Sequence, residues 1–178
     1  RHTLMSPLMR ARLADHVDRG GSLLVSGSYI PSELMKNEMA DSLERISTQR
    51  FGAETLGMQS AVEKAAVTGD IRVAPEENWT FRPNIYTIPT VINNNTYSVT
   101  APESPYPSAA ASVVMRFEEN GLPAGIAYRP LSPDTGAEGR VVTLGFPLET
   151  VTDPALADQL MADILTYLLE YHSDKKHR

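Results

Sequence analysis

Asp15-His16-Val17-Asp18-Arg19-Gly20-Gly21-Ser22-Leu23-Leu24-Val25-Ser26-Gly27-Ser28-Tyr29-Ile30 is the stretch that decides how this chain is read. It has the order of a helix end, a glycine stop, a buried strand and a sharp turn. Glycine ends helices because it takes left-handed backbone without a Cβ clash. Ser22 to Ser26 is short and continuously apolar at its centre, which predicts a central strand covered on both faces. Small residues (Ser26, Gly27, Ser28) then fall at the strand's carboxyl end, where open α/β sheets carry their sites.

Working outward, Ser6-Pro7 reads as an N-cap followed by proline at the first helical position. Met9, Leu13 and Val17 recur every four residues up to Gly20-Gly21 and predict an amphipathic helix. After Pro31 a second helix is expected, with Met35, Met39, Leu43 and Ile46 on its apolar face. Lys36, Glu38, Asp41, Glu44 and Arg45 form its charged side.

From Phe51 to Ser108 short segments alternate with turns, and six prolines between Pro75 and Pro107 rule out long helices there. Residues 59–67 could be helix or strand by pattern. The turn at Thr68-Gly69-Asp70 favours a hairpin with Ile71–Ala74. Further short segments lie at Ile85–Ile88 and Tyr97–Thr100, with an exposed turn expected at Asn93-Asn94-Asn95. Asn120-Gly121 between Ser112–Phe117 and Ala124–Arg129 is a strong hairpin signal. Arg140–Leu144 reads as a second buried strand, broken by Gly145-Phe146-Pro147. Asp153-Pro154 then opens a helix with Leu156, Leu160, Met161, Ile164, Leu165 and Leu168 as its apolar stripe.

At 178 residues the chain suits one domain, able to bury roughly 70% of its unfolded surface. The expected organisation is a single α/β domain over 1–178, with a β-rich insertion at about 51–110. Apolar residues make up 42% and charged residues 21%, as in ordinary globular domains. A net charge of −6 without a basic stripe argues against a nucleic-acid partner. The run Lys175-Lys176-His177-Arg178 reads as a solvated tail. The absence of cysteine excludes disulfides, thiolate catalysis and cysteine zinc sites. No apolar run approaches the roughly 20 residues of a membrane span. The start at Arg1-His2-Thr3-Leu4 lacks an initiator methionine and a signal-peptide core, so the chain is expected to be a piece of a longer protein.

Three pieces together carry a family resemblance: Leu24-Val25-Ser26-Gly27-Ser28-Tyr29 after the helix and two glycines, Ala124-Gly125-Ile126-Ala127-Tyr128, and the run from Val141 to Thr150 before the last helix. The set resembles the C-terminal α/β domain of secreted Bacteroidetes proteins of the xanthan lyase type, which is similar to the class I glutamine amidotransferase-like, flavodoxin-like fold. The likeness covers both ends of the chain and not its middle. It implies a three-layer α/β core with a β-rich insertion and one or two earlier βα units before Arg1. It also implies a secreted or envelope location, with a polysaccharide and the other domains of the parent chain as partners. Active members of the fold family carry a cysteine on the elbow after the strand matched by Ser22–Ser26, with a histidine and an acid nearby. Here the elbow reads Ser26-Gly27-Ser28, so the thiol is absent or replaced by a hydroxyl.

Ser28 is the sharpest catalytic candidate, since a serine on a strand-to-helix elbow can be exposed beside helix N–H donors. It needs a base, and none of His2, His16, His172 or His177 follows a strand. The plainer alternative is that Ser26 and Ser28 cap a turn. Glu149, beyond the Gly145-Phe146-Pro147 break, could act as acid, base or metal ligand, or simply favour the start of a helix. Ser26 and Gly27 are the ligand-contact candidates at the turn. Trp79 and Tyr86, within the cluster Trp79, Phe81, Tyr86, Tyr97 and Tyr106, are candidates for stacking on sugar rings, against the alternative of a satellite core. No cofactor fingerprint, Walker loop or metal motif is present, and no cofactor is expected.

The functions these residues leave open are three. One is a non-catalytic, amidotransferase-like accessory domain of a polysaccharide-processing protein. Another is a polysaccharide lyase or cell-wall hydrolase using Ser28 or Glu149. The last is a small-ligand or glycan-binding module.

Overall fold

The computed structural model describes residues 4–35, 42–67, 70–90, 98–99 and 101–170. Helix α1 (Pro7–Asp18) starts where the sequence places it. Ser6 is extended, and its hydroxyl accepts from the Met9 amide at 3.2 Å. The helix ends on Gly20, whose φ of +85° is left-handed backbone. Strand β1 (Ser22–Ser26) follows, then a turn into the short helix α2 (Ile30–Met35). Helix α3 (Ser42–Arg50) runs into a π-helical turn at Phe51–Thr55. Five strands come next: β2 (Met58–Val62), β3 (Ile71–Pro75), β4 (Tyr86–Ile88), β5 (Ser104–Pro107) and β6 (Ala111–Phe117). Strands β7 (Pro123–Tyr128) and β8 (Arg140–Leu144), a 3-10 turn at Leu148–Thr150 and helix α4 (Pro154–Leu169) complete the order.

The result is a mixed α/β architecture. Six strands form one sheet in the order β1-β8-β7-β6-β3-β4, and β2 with β5 forms a separate pair. Strand β1 runs parallel to β8, from Ser22 opposite Arg140 to Ser26 opposite Leu144. All the other neighbours in the large sheet are antiparallel. The β6–β7 pair is the hairpin expected at Asn120-Gly121, with Gly121 at φ +73°. Asp153 caps α4 as its sequence predicts, accepting from the Ala155 amide at 2.9 Å.

Side chains alternate across β8, so Val141 and Val142 enter different apolar clusters. Val141 meets Val17 of α1, Leu34 of α2 and Phe51, together with Val25 and Ile126. Val142 and Leu144 meet Leu160, Ile164 and Leu168 of α4. Each fully buried side chain of this size contributes about 1.5–3 kcal/mol. Helices therefore cover both faces of the β1–β8 region, and the carboxyl ends of this parallel pair open between them.

Three expectations change. Among the described residues strand β1 is an edge strand rather than a central one, and Leu23 and Leu24 are only half-buried. Its apolar composition reflects the two helical layers above and below it, which a one-dimensional pattern cannot tell from a second neighbouring strand. The apolar face expected after Pro31 is not buried as drawn: Leu43 is 76% exposed and Ile46 50%. Phe51 and Leu56 supply the apolar anchor there instead, and Arg10 pairs with Glu44 to hold α3 against α1. Residues 59–67 form no hairpin with Ile71–Ala74. Met58 is fully buried on the α2 side and commits β2 to β5, whereas β3 joins β6 and β4 in the large sheet. Met39, Thr68-Gly69, Asn93-Asn94-Asn95, Tyr97 and the tail after Glu170 lie outside the described residues. Among the described residues no helix is long and apolar enough to cross a membrane.

Candidate functional site

The turn after β1 is fastened from several directions. The Gly27 amide continues the parallel ladder by donating to the Leu144 carbonyl at 3.3 Å. The Ser26 hydroxyl donates to the Phe146 carbonyl at 2.9 Å and accepts from the Leu148 amide at 2.8 Å. Ser26 thus rivets the end of β1 to the chain leaving β8, and both its hydrogen-bonding roles are used. Behind the turn, Glu103 is 1% exposed, and its carboxylate accepts from the Ser32 amide at 2.8 Å and the Ser32 hydroxyl at 2.6 Å. A carboxylate in the first turn of α2 satisfies an amide that has no partner within the helix.

The apex of the elbow is Tyr29. Its φ is +67°, a left-handed conformation that costs a residue with a Cβ roughly 1–2 kcal/mol. The residue is 54% exposed. Ser28 precedes it, and its hydroxyl oxygen is buried without a hydrogen-bond partner among the described residues. The turn borders a cleft of about 350 Å³ lined by Ser26, Gly27, Ser28, Tyr29, Ser98, Val99, Ala101, Pro147 and Glu149. Both catalytic candidates, Ser28 and Glu149, therefore line the same cleft, with the ligand-contact candidates Ser26 and Gly27. A larger cleft of about 730 Å³ lies between α2, the π-helical turn and the β2–β5 pair, but the side chains lining it carry no charge.

Among the described residues no histidine stands at the elbow. His16 lies at the opposite end of β1, where its Nε2 is 3.1 Å from the Ser22 carbonyl oxygen and its ring packs over Gly21. His2, His172 and His177 are outside the described residues. Glu103 is close in sequence to the cleft wall but committed to Ser32. Among the described residues no group of three acidic or histidine side chains converges to hold a metal ion. Among the described residues no side chain is hydrogen-bonded to the Ser28 hydroxyl to take its proton, and an unactivated hydroxyl is a poor nucleophile.

The aromatic candidates fall elsewhere. Tyr86 is fully buried, and its phenol oxygen accepts from Gln159 Nε2 at 3.2 Å. Burial, reinforced by the Asp163 charge, raises its pKa against the opposing effects of Gln159 and Arg82. Trp79 meets Phe81 edge-on at 6.2 Å and Tyr167 at 5.4 Å, and packs against the α4-side core. Phe81 and Tyr86 are thus members of the main core rather than of a satellite one, and Trp79 packs against it, because apolar ring area gains more from burial than from exposure. Trp79 and Tyr86 are not residues of the elbow cleft.

Two residues escape a reading of the sequence. Tyr29 passes for the first residue of the next helix, and nothing in its identity announces a positive φ. Glu103 lies in Pro102-Glu103-Ser104-Pro105, which reads as loop. A fainter signal was present in Gly145, where a Cβ would sit 1.7 Å from the Glu103 carbonyl oxygen. A glycine at a strand exit can mark another backbone passing close by.

Comparison of the chain with protein-family models, curated proteins and solved structures returns no match.

Proposed function

We propose that this chain is a non-catalytic, class I amidotransferase-like accessory domain of a secreted polysaccharide-processing protein, and that its elbow cleft binds a ligand without turning it over. The observation that carries the reading is the pairing of a formed strand-end cleft with a serine hydroxyl that has no described base. The order of strand, strained turn and helix, with a tyrosine at the apex, supports this reading, since strand-to-helix elbows are where such folds mount a nucleophile.

The flavodoxin-like assignment draws support from the parallel β1–β8 pair with helices on both faces. It also draws on α1, which starts beside α2 at the elbow, with Met5 and Leu34 in one cluster, and ends at the amino end of β1. That is the path of a crossover helix between parallel strands, and it leaves room for an earlier βα unit on the outer side of β1. Strand β1 carries no charge or proline to blunt that edge.

A hydrolase or lyase using Ser28 or Glu149 is the second reading, favoured by their place on one cleft. The two separate by assay. Purified domain is incubated with polysaccharides and peptidoglycan, and new reducing ends, unsaturated uronates and released peptides are measured for the parent sequence, Ser28→Ala and Glu149→Ala. The accessory reading expects no turnover from any of the three. Turnover lost in either variant, with its melting temperature unchanged, would overturn that reading.

A further inference from the structure

We infer that the outer edge of β1 pairs antiparallel with the same edge of a second copy of this chain, about a two-fold axis at Val25. This goes beyond the binding role of the cleft and stands without it. The ladder between β1 and β8 fixes which backbone groups face outwards. Arg140 donates to the Gly21 carbonyl and Gly27 donates to the Leu144 carbonyl, so Leu23 and Val25 between them face β8. Ser22, Leu24 and Ser26 therefore turn their amides and carbonyls away from the sheet. The Ser22 carbonyl is already met by His16 Nε2 at 3.1 Å. The amides and carbonyls of Leu24 and Ser26 have no hydrogen-bond partner among the described residues. The opposite edge differs, since at β4 the Thr87 carbonyl is closed by the Thr152 amide at 2.9 Å.

The open stretch matches itself. Leu24 and Ser26 lie evenly about Val25, so a two-fold axis there sets each Leu24 opposite the partner's Ser26. Each such antiparallel pair exchanges amide-to-carbonyl bonds in both directions. Apolar side chains border the strand on both faces. In α4, Gln159 and Asp163 reach Tyr86 and Arg82 on the β4 side, while Leu160, Ile164 and Leu168 enter the core. Met161, Leu165 and Leu169 follow one position later, about 100° further round the helix, which turns them to the β1 side. Leu165 and Leu169 are exposed there. In α1, Met9, Leu13 and His16 share the flank that overhangs the edge, and Met9 is exposed. Leu23 and Leu24 are themselves half-buried. A second copy brings these stripes together, and β1 and these leucines and methionines carry no charge to repel their own image.

The test follows the mass of the whole chain by sedimentation equilibrium, and its amide exchange by NMR, across a range of concentrations. A dimer with a dissociation constant of about 100 μM or tighter is expected. In it the Leu24 and Ser26 amides should exchange about tenfold more slowly than in the dilute monomer, with Leu23 and Val25 unchanged. Leu165→Lys combined with Leu169→Lys should weaken the dimer by about tenfold or more, because both copies then bring lysines to one seam. Both positions are exposed, so the melting temperature of the dilute protein should hold. Mixing that protein with the Leu165→Glu, Leu169→Glu variant should restore a mixed dimer, which damage to α4 could not do. A chain that stays monomeric up to about 1 mM overturns the pairing and leaves the edge to a strand from a different polypeptide. A dimer that leaves the Leu24 and Ser26 amides fast, or that tolerates both lysines, places the contact on another face and overturns it equally, as does failure of the mixed dimer to form.

Discussion

Gly145→Ala should cost this domain far more than one methyl group normally does. An added Cβ would lie 1.7 Å from the Glu103 carbonyl oxygen and 2.7 Å from its carbonyl carbon, where real contacts essentially never fall below 3.0 Å. The obstacle is backbone, so no side-chain rotation relieves it. The Glu103 segment has to retreat by more than an ångström, which breaks the bond from its amide to the Gly145 carbonyl, now 2.8 Å. The retreat also pulls the buried carboxylate from the Ser32 amide and hydroxyl. A backbone hydrogen bond contributes about 0.5–1.5 kcal/mol and one to a charged group about 1.5–3, so losing one of each costs about 3 kcal/mol. At about 2–4 °C per kcal/mol for a domain of this size, the melting temperature should fall by about 6–12 °C. Urea unfolding and calorimetry on the variant measure this directly. Gly136→Ala is the control, because its φ is +67° yet nothing lies within 4 Å of its Cβ, so only backbone strain of about 1–2 kcal/mol is added. If Gly145→Ala loses no more than that control, the close passage of Glu103 over β8 does not hold the elbow.

Ser26→Ala removes the hydroxyl that serves both the Phe146 carbonyl and the Leu148 amide, and should cost about 1–3 kcal/mol in urea unfolding. A loss under about 0.5 kcal/mol would mean that water replaces the rivet. Stability should also fall in alkali. Burial is the main cause raising the pKa of Tyr86 and Tyr167 above the usual 10.0, so the folded protein holds these protons after the unfolded chain has released them. Their contribution is complete below about pH 10 and is lost as pH rises through the unfolded value towards the folded ones. The urea midpoint should therefore drop between about pH 9 and about pH 11, and less steeply in the Tyr86→Phe, Tyr167→Phe double variant. An identical slope in the two proteins would refute the assignment.

Local signals carried much of the fold. Asn120-Gly121 specified its hairpin because the turn chemistry is complete within a few residues, and Ser6-Pro7 and Asp153-Pro154 specified their helix starts for the same reason. The position of the elbow was legible too, since a helix stop, an apolar strand and small residues follow one another without interruption. What depended on distant pairing was not. Strand β2 has the same appearance whether it joins β3 or β5, and the choice is made by where Met58 is buried. The cleft was legible in its Ser26–Ser28 and Glu149 positions, both tied to strand ends. Tyr29 was not, because its role follows from a backbone angle. Glu103 was not, because its partner Ser32 lies far away in the chain.

The fastenings around the elbow have a consequence for how a ligand would be received. Segments from β1, the exit of β8 and the chain before β5 meet at Ser26, Gly27 and Ser32 through hydrogen bonds that are already made. The β1 turn is thus set before anything enters the cleft, and a guest need not pay to immobilise Ser26 and Gly27. Association would then register as a small chemical-shift change confined to the rim, with amide exchange in β1 and β8 untouched.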